Sequence, residues 1–282
     1  MRKAMGPLTR PVTIILVSLA LLVCYASTLR GMAHQWWTDE DMGYGFIVPI
    51  VIAWIVWSQR ARWRNLPVQG SAWGFVVLAA AACLQIASAF GAGLFAASVA
   101  LLLSLAGVVL AMLGFALLRA WAFPFVLMLF MLPKLAIVYN QITLPLQLLA
   151  TRLAGGMLSA AGFMVVRDGN ILNVAGHSIS VVEACNGIRY LLPLAFLALV
   201  FAYAGGAKVW IRFVMTVAAV PIAIIANAIR VAFSGLSPVL TSGTVHALLG
   251  IFIFLLGLGL LAGIYHLLMH GPSYNRGWKN PT

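Results

Sequence analysis

The sequence VEACNGIRYLLPLAFLALVFAY, residues 182–203, sets reactive and charged side chains at the start of an apolar run. Glu183, Cys185 and Arg189 form the polar cluster, and Gly187 stands between the last two. A carboxylate and a guanidinium are costly to bury beside hydrocarbon, so charged groups at the mouth of a membrane helix indicate a functional site. The apolar run that follows predicts the helix that holds this cluster at a membrane surface.

The composition is that of an integral membrane protein. Of the 282 residues, 63% are hydrophobic and 8% are charged, whereas a soluble domain carries about 25% charged residues. Apolar runs recur along nearly the whole length, so we expect one integral membrane domain over residues 1–282. The net charge of +12 comes from short basic clusters between those runs. Such clusters are a topology signal, and we expect no nucleic-acid partner.

The apolar runs predict an all-α polytopic membrane protein with about eight transmembrane helices. We expect a polar loop over Arg30–Tyr44, after the first span. The apolar but interrupted segment Leu135–Met164 predicts one or two helices that lie at the interface or are partly re-entrant. The predicted spans are Pro11–Leu29, Gly45–Ser58, Ser71–Phe90, Leu94–Leu118, Ala120–Leu132, Ala184–Tyr203, Phe213–Phe233 and Val245–Leu268.

Residues 165–182 change to a pattern typical of β-strands. Ile171, Leu172 and Ile179 are strand formers, and residues 168–170 and 175–176 supply turns. Open strand pairs cannot lie in lipid, because their unpaired backbone groups would have no hydrogen-bond partner. We therefore expect a small extracytoplasmic β-hairpin at about 165–182, followed by a catalytic half at about 183–268.

The basic residues favour a topology with both termini in the cytoplasm. Alternating eight spans from a cytoplasmic N-terminus puts eleven of the seventeen lysines and arginines on the cytoplasmic side, as the positive-inside rule requires. Those eleven are Arg2, Lys3, Arg10, Arg60, Arg62, Arg64, Arg119, Lys208, Arg212, Arg276 and Lys279. The bacterial cytoplasmic (inner) membrane is the expected location, with the active site on its extracytoplasmic face.

Span counting brings three distant residues to that extracytoplasmic face. Cys185 opens the sixth span, Arg230 closes the seventh and His246 opens the eighth. A neighbouring cation lowers the pKa of a cysteine and favours the nucleophilic thiolate. Arg230 supplies such a cation and is suited to stabilise an oxyanion. His246 is the candidate general acid/base, since histidine exchanges protons near neutral pH.

Each of these residues taken alone has a plainer explanation. A lone cysteine is usually a packing residue, an arginine can reach toward lipid phosphates, and a histidine at a helix mouth is usually solvated. Cys24 and Cys83 lie inside apolar runs, and with three cysteines and no CxxC pattern we expect no disulfide framework. His177 and His246 could join Cys185 around zinc, but the spacing matches no usual ligand pattern. We expect no metal and no cofactor.

Four short motifs resemble the exosortase/archaeosortase family in matching order. Residues 183–189, EACNGIR, resemble its cysteine motif, and residues 227–230, NAIR, its arginine motif. Residues 246–250, HALLG, resemble its bacterial histidine motif, and residues 43–49, GYGFIVP, are similar to an early stretch. Asn186 and Tyr44 depart from it, since many members carry serine and histidine there. The surrounding site residues are Glu183, Asn186, Gly187, Arg189 and Asn227; Glu183 can orient either arginine, and Arg189 falls on the same helix face as Cys185.

The resemblance implies a membrane-embedded cysteine transpeptidase or protease. Its expected partners are membrane-anchored proteins with a C-terminal sorting signal, made of a Pro-Glu-Pro motif, a membrane helix and a basic cluster. Cys185 would attack a substrate carbonyl, Arg230 would stabilise the developing charge and His246 would protonate the leaving amine. Water, an amine or a lipid group would then resolve the thioester.

Two other functions fit the composition. A membrane transporter also uses intramembrane polar groups, although it should carry them near the bilayer midplane, where this chain has few. A non-catalytic subunit of an exopolysaccharide export system should keep its phenotype when Cys185 is replaced, provided that the protein is still expressed.

Overall fold

The computed structural model of the chain describes residues 9–174, 176–181, 187–237, 240–241 and 243–270. The chain divides into two compact units, Met1–Leu135 (unit 1) and Ala136–Thr282 (unit 2). Helices account for most of the described residues in each unit. The mainly helical prediction is therefore confirmed.

Unit 1 is built from helices alone in the part that the structure describes. Short 3₁₀ turns at Gly43–Phe46 and Leu129–Met131 and a π-helical turn at Ser88–Ala92 link several of them. The α-helices are α1 Thr9–Cys24, α2 Ala26–Thr38, α3 Ile47–Ser58, α4 Arg60–Arg64, α5 Trp73–Ala87, α6 Gly93–Met112, α7 Phe115–Ala120 and α8 Ala122–Met128.

The predicted loop at Arg30–Tyr44 is wrong over its first half. The first apolar helix stops at Cys24, and α2 follows after a bend of 64° and runs to Thr38. Tyr25 at the bend is buried, and its Oη lies 2.7 Å from Oγ of Ser104 in α6. α2 buries Met32 and Trp36 on one side and carries most of its polar residues on the other. It is therefore an amphipathic helix, which the hydropathy of the segment does not reveal.

An ion cluster closes one end of unit 1. Nζ of Lys134 lies 2.8 Å from carboxylate oxygens of both Asp39 and Asp41. Nearby, Trp36 donates from Nε1 to the carbonyl of Met131 at 3.2 Å. These contacts tie the chain after α2 to the chain after α8.

Unit 2 contains a helical group and a small sheet. Leu135–Met164 forms a single helix over most of its length, although it contains Pro145. The elements are α9 Ala136–Ala160, β1 Val165–Asp168, β2 Ile171–Val174, β3 His177–Ser180, α10 Ile188–Ala204, α11 Val209–Leu236 and α12 Gly243–His270.

The sheet is a three-stranded antiparallel meander rather than the predicted hairpin. β2 pairs with β1 in the register Val165↔Val174 and with β3 in the register Ile171↔Ser180. The sequence contains two turn signals in this segment, and the chain reverses direction at each of them between antiparallel strands. A hydrogen bond stabilises the end of β3, because the Val181 N–H donates to the carbonyl of Asn170 at 2.8 Å.

The sheet packs on α9 and α11 and so supports the end of α11. Leu172 and Val174 of β2 are buried against Ala154 and Leu158 of α9 and Val231 of α11. Apolar burial of this kind contributes about 25 cal/mol per Å² of area removed from water. The contact holds the last turns of α11, where Arg230 lies, against a fixed surface.

Four of the described helices are long and apolar enough to cross a bilayer, or up to six if each bent helix pair counts as one span. The four are Trp73–Gly91, Gly93–Met112, Val209–Leu236 and Gly243–His270. Two shorter apolar helices, Gly43–Ser58 and Ile188–Ala204, coincide with predicted spans. The protein is therefore a multi-pass membrane protein of four to six candidate spans with a small sheet.

Candidate active site

Arg230 and His246 lie side by side in unit 2. α11 carries Arg230 six residues before its end at Leu236, and α12 carries His246 in its first turn. Nη2 of Arg230 is 2.5 Å from Nε2 of His246. Arg230 is only 4% exposed, which is unusual for a charged side chain and makes its few contacts important.

The contact between these residues fixes the protonation of His246. A guanidinium has only donors, so Nη2 of Arg230 donates and Nε2 of His246 accepts. The other ring nitrogen, Nδ1, lies 2.7 Å from the carbonyl oxygen of Leu240, so Nδ1 carries the hydrogen and donates it. Oγ of Ser234 donates to the same carbonyl at 3.3 Å. His246 is thus a neutral imidazole whose orientation is set from both sides.

An aromatic pair covers the guanidinium of Arg230. The Tyr190 ring centroid lies 5.6 Å from Cζ of Arg230, within the range of a cation–π contact. Tyr190 in turn stacks on Phe254, with ring centroids 6.3 Å apart. Among the described residues, Nε and Nη1 of Arg230 have no hydrogen-bond acceptor. The buried cation is therefore only partly compensated by the described residues.

A cavity of about 320 Å³ opens beside this pair, between α10 and α12. Arg189, Tyr190, Arg230 and Phe254 contribute to its lining, together with Gly250 in α12. A Cβ at residue 250 would lie 3.1 Å from Oη of Tyr190 and 3.6 Å from Nε of Arg230. Glycine at this position therefore keeps space open next to the guanidinium.

Gly187 and Asn227 bring the start of α10 against α11. Gly187 caps α10 in the left-handed region, with φ of +87°, which a residue with a side chain rarely adopts. A Cβ there would lie 3.2 Å from Cβ of Asn227, which is 2% exposed. Asn227 is three residues before Arg230 in the same helix. This close approach holds Gly187, within the cysteine motif, one helical turn from Arg230.

Three of the predicted site residues, Glu183, Cys185 and Asn186, lie outside the described residues. The other five, Gly187, Arg189, Asn227, Arg230 and His246, all fall in unit 2 around one end of α10, α11 and α12. The structure brings Arg230 to His246 and Gly187 to Asn227. Arg189 joins Arg230 in the cavity lining.

Sequence reasoning missed Tyr190, Ser234 and Phe254 and the carbonyl of Leu240. Tyr190 follows Arg189 directly, and Phe254 follows Gly250 by one helical turn, so helical spacing from the motifs could have found both. The Leu240 carbonyl gives no such signal, because every residue carries the same backbone group.

These features define a multi-pass membrane protein in which a buried guanidinium contacts a half-buried imidazole among three helices. Residues 36–263, most of the chain, match the family model of the transmembrane exosortases. The chain therefore belongs to the transmembrane exosortase family. No curated protein and no solved structure matches it.

Proposed function

We propose that the protein is a membrane-embedded cysteine transpeptidase or protease of the exosortase type, with Cys185 as the nucleophile. The contact between Arg230 and His246 carries this proposal, because it sets a cation beside a neutral imidazole. Family membership supports it independently. Gly187, two residues after Cys185 in the sequence, packs against Asn227 one turn from Arg230.

The neutral imidazole supports a definite order of proton transfers. Nε2 of His246 is the unprotonated nitrogen and takes the proton from the Cys185 thiol. The thiolate attacks the substrate carbonyl carbon, and the C–N bond of the scissile amide breaks to leave a thioester. The imidazolium then returns its proton from Nε2 to the leaving amine. A second nucleophile loses its proton to His246 as it releases the acyl group from sulfur.

Arg230 stabilises the negative charge that forms on the carbonyl oxygen during attack. Its Nη2 donates to His246, while Nε and Nη1 have no acceptor among the described residues. Donors fixed in place before the reaction stabilise an oxyanion strongly, since they need no reorganisation when the charge develops. When Nε2 of His246 takes the thiol proton, it can no longer accept from Arg230, and the freed Nη2 donor turns to the oxyanion as it forms.

We further propose that the chain crosses the bacterial cytoplasmic membrane eight times, with both termini in the cytoplasm and the site at the extracytoplasmic face. The basic clusters support this orientation. Substrates are membrane-anchored proteins with a C-terminal Pro-Glu-Pro sorting signal, which confinement to the bilayer plane delivers to the depth of the site.

Replacement of Cys185 by alanine tests the proposed nucleophile. We expect the anchored form of a host protein with the C-terminal signal to accumulate, measured by immunoblot of membranes. Cys24→Ala and Cys83→Ala are matched controls, because both cysteines are exposed and lie in unit 1. Unchanged processing in a Cys185→Ala strain with normal protein level would refute the proposal and favour a non-catalytic export subunit or a transporter.

A further inference from the structure

The cavity between α10 and α12 contains two arginines in an otherwise apolar lining. Two of its lining residues are arginines, Arg189 and Arg230, and its remaining described lining is aromatic, aliphatic or glycine. Arg230 is 4% exposed, and Nε and Nη1 find no acceptor among the described residues. A buried cation is costly unless hydrogen-bond acceptors or a counter-charge surround it.

We propose that this cavity is a substrate subsite that binds a carboxylate on a side chain next to the scissile bond. This inference rests on the proposed function, because the cavity shares Arg230 with the proposed reaction site. Arginine is suited to the task, since its planar donors match the two oxygens of a carboxylate. The bound carboxylate supplies the acceptors and the charge that Arg230 lacks among the described residues.

The shape of the cavity favours a peptide side chain over a bare ion. Its volume of about 320 Å³ exceeds the volume of an isolated carboxylate several-fold. Tyr190 and Phe254 form a stacked apolar wall beside the guanidinium. Such a wall accommodates the methylene groups of an acidic side chain while its carboxylate reaches the arginines.

Gly250 is the residue that keeps the subsite open. A Cβ at this position would stand 3.6 Å from Nε of Arg230, where an acceptor oxygen would otherwise approach. Gly250→Ala therefore obstructs the subsite without changing any charge. Gly259→Ala is its matched control, because nothing lies within 4 Å of a Cβ built at residue 259 of the same helix.

Binding of two small probes to the full-length protein tests the subsite. Cys185→Ala protein in phosphatidylcholine nanodiscs is titrated by NMR with N-acetyl-glutamate methylamide and N-acetyl-glutamine methylamide. We expect the glutamate probe to bind about tenfold more tightly, as a charge-assisted hydrogen bond requires. In this background Gly250→Ala and Arg189→Gln should each reduce the preference to about twofold or less, while Gly259→Ala retains it.

Several results would overturn the subsite. Equal binding of both probes would refute the subsite. A preference for glutamate that persists in Gly250→Ala or in Arg189→Gln would also refute it. A melting curve shows which of the two variants is folded, and one folded variant is sufficient for this test. A preference that phosphatidylglycerol nanodiscs still abolish at about 1 M salt, where the surface charge of the bilayer is screened within about 3 Å, assigns the cavity to lipid headgroups instead. These results would refute the subsite alone. The proposed activity is tested separately, by whether processing depends on Cys185.

Discussion

Arg230 donates through Nη2 to Nε2 of His246 over 2.5 Å, and the same histidine donates through Nδ1 to the carbonyl of Leu240. The cation and the imidazole therefore act as one unit held between α11 and the start of α12. Arg230 is buried and His246 is half-buried, so replacement of either residue alters the surroundings of the other.

Arg230→Lys tests the geometry of the cation rather than its charge. Lysine keeps one positive charge but loses the planar set of donors that reaches both His246 and an oxyanion. Loss of one preorganised donor costs about 100-fold or more in turnover, so we expect processing to fall by about that factor. The measurement is the rate of substrate processing in membranes that contain equal amounts of protein.

Arg212→Lys is the control for this substitution. Arg212 lies in the same helix and also stacks over a tyrosine, with Cζ 4.6 Å from the Tyr203 ring, but it lies near the opposite end of α11. We expect processing within about twofold of wild type, because Arg212 is remote from the site. The half-buried side chain loses its cation–π geometry and the hydrogen bond from Nε to the Ala207 carbonyl. An equal fall in both variants would mean that lysine merely weakens the helix packing.

His246→Asn separates the structural contact of the histidine from its proton transfer. The asparagine amide can still donate to the Leu240 carbonyl, whereas alanine cannot. We expect His246→Ala to lower the free energy of unfolding by about 1–3 kcal/mol, and His246→Asn by less than about 1 kcal/mol. Both variants should lose about 10²–10⁴-fold in processing, because neither side chain can carry the proton. Processing near wild type in His246→Asn would exclude an acid/base role.

The sequence predicted the helices and the residues around the site better than it predicted their contacts. Apolar runs locate helices because the bilayer requires long uninterrupted hydrophobic segments, and the four long candidate spans all overlap predicted ones. The bend at Tyr25 escaped prediction, and the contact made at the bend involves a residue distant in the chain. The hydroxyl of Tyr25 meets Ser104, 79 residues away, and local hydropathy does not encode such a pair.

The same limit applies within the site. Short motifs drew attention to Arg230 and His246 one by one, but their hydrogen bond depends on how α11 and α12 pack. The orientation of the imidazole depends on a backbone carbonyl, which has no sequence signature. The cavity depends on the absence of a side chain at Gly250, and its meaning becomes clear only with Arg230 and Tyr190 in view.

Lys134→Met tests the ion cluster of unit 1. Lys134 contacts Asp39 and Asp41, and the side chain of Asp41 is 7% exposed. Removal of one partner of a buried ion pair lowers the free energy of unfolding by about 3–5 kcal/mol. Because Asp39 is partly exposed, we expect Lys134→Met to lower it by about 3 kcal/mol. Denaturant unfolding in detergent micelles measures it. Asp41→Asn in the same chain should recover part of the loss, whereas the exposed control Lys208→Met should change stability by less than about 0.5 kcal/mol.

Gly187→Ala and Gly206→Ala form a matched pair that isolates the contact with Asn227. Both glycines have positive φ, +87° and +71°, at the two ends of α10, so alanine costs about 1–2 kcal/mol of backbone strain at either. Only at residue 187 would the new Cβ meet a neighbour, 3.2 Å from Cβ of Asn227, whereas nothing lies within 4 Å at residue 206. We therefore expect Gly187→Ala to displace the chain within the cysteine motif and to lower processing on the order of 100-fold. Gly206→Ala should lose similar backbone stability and keep processing near wild type, with both compared by thermal melts and processing rates. If the two variants lost processing equally, backbone strain alone would explain the effect, and the contact between Gly187 and Asn227 would have no role in positioning the site.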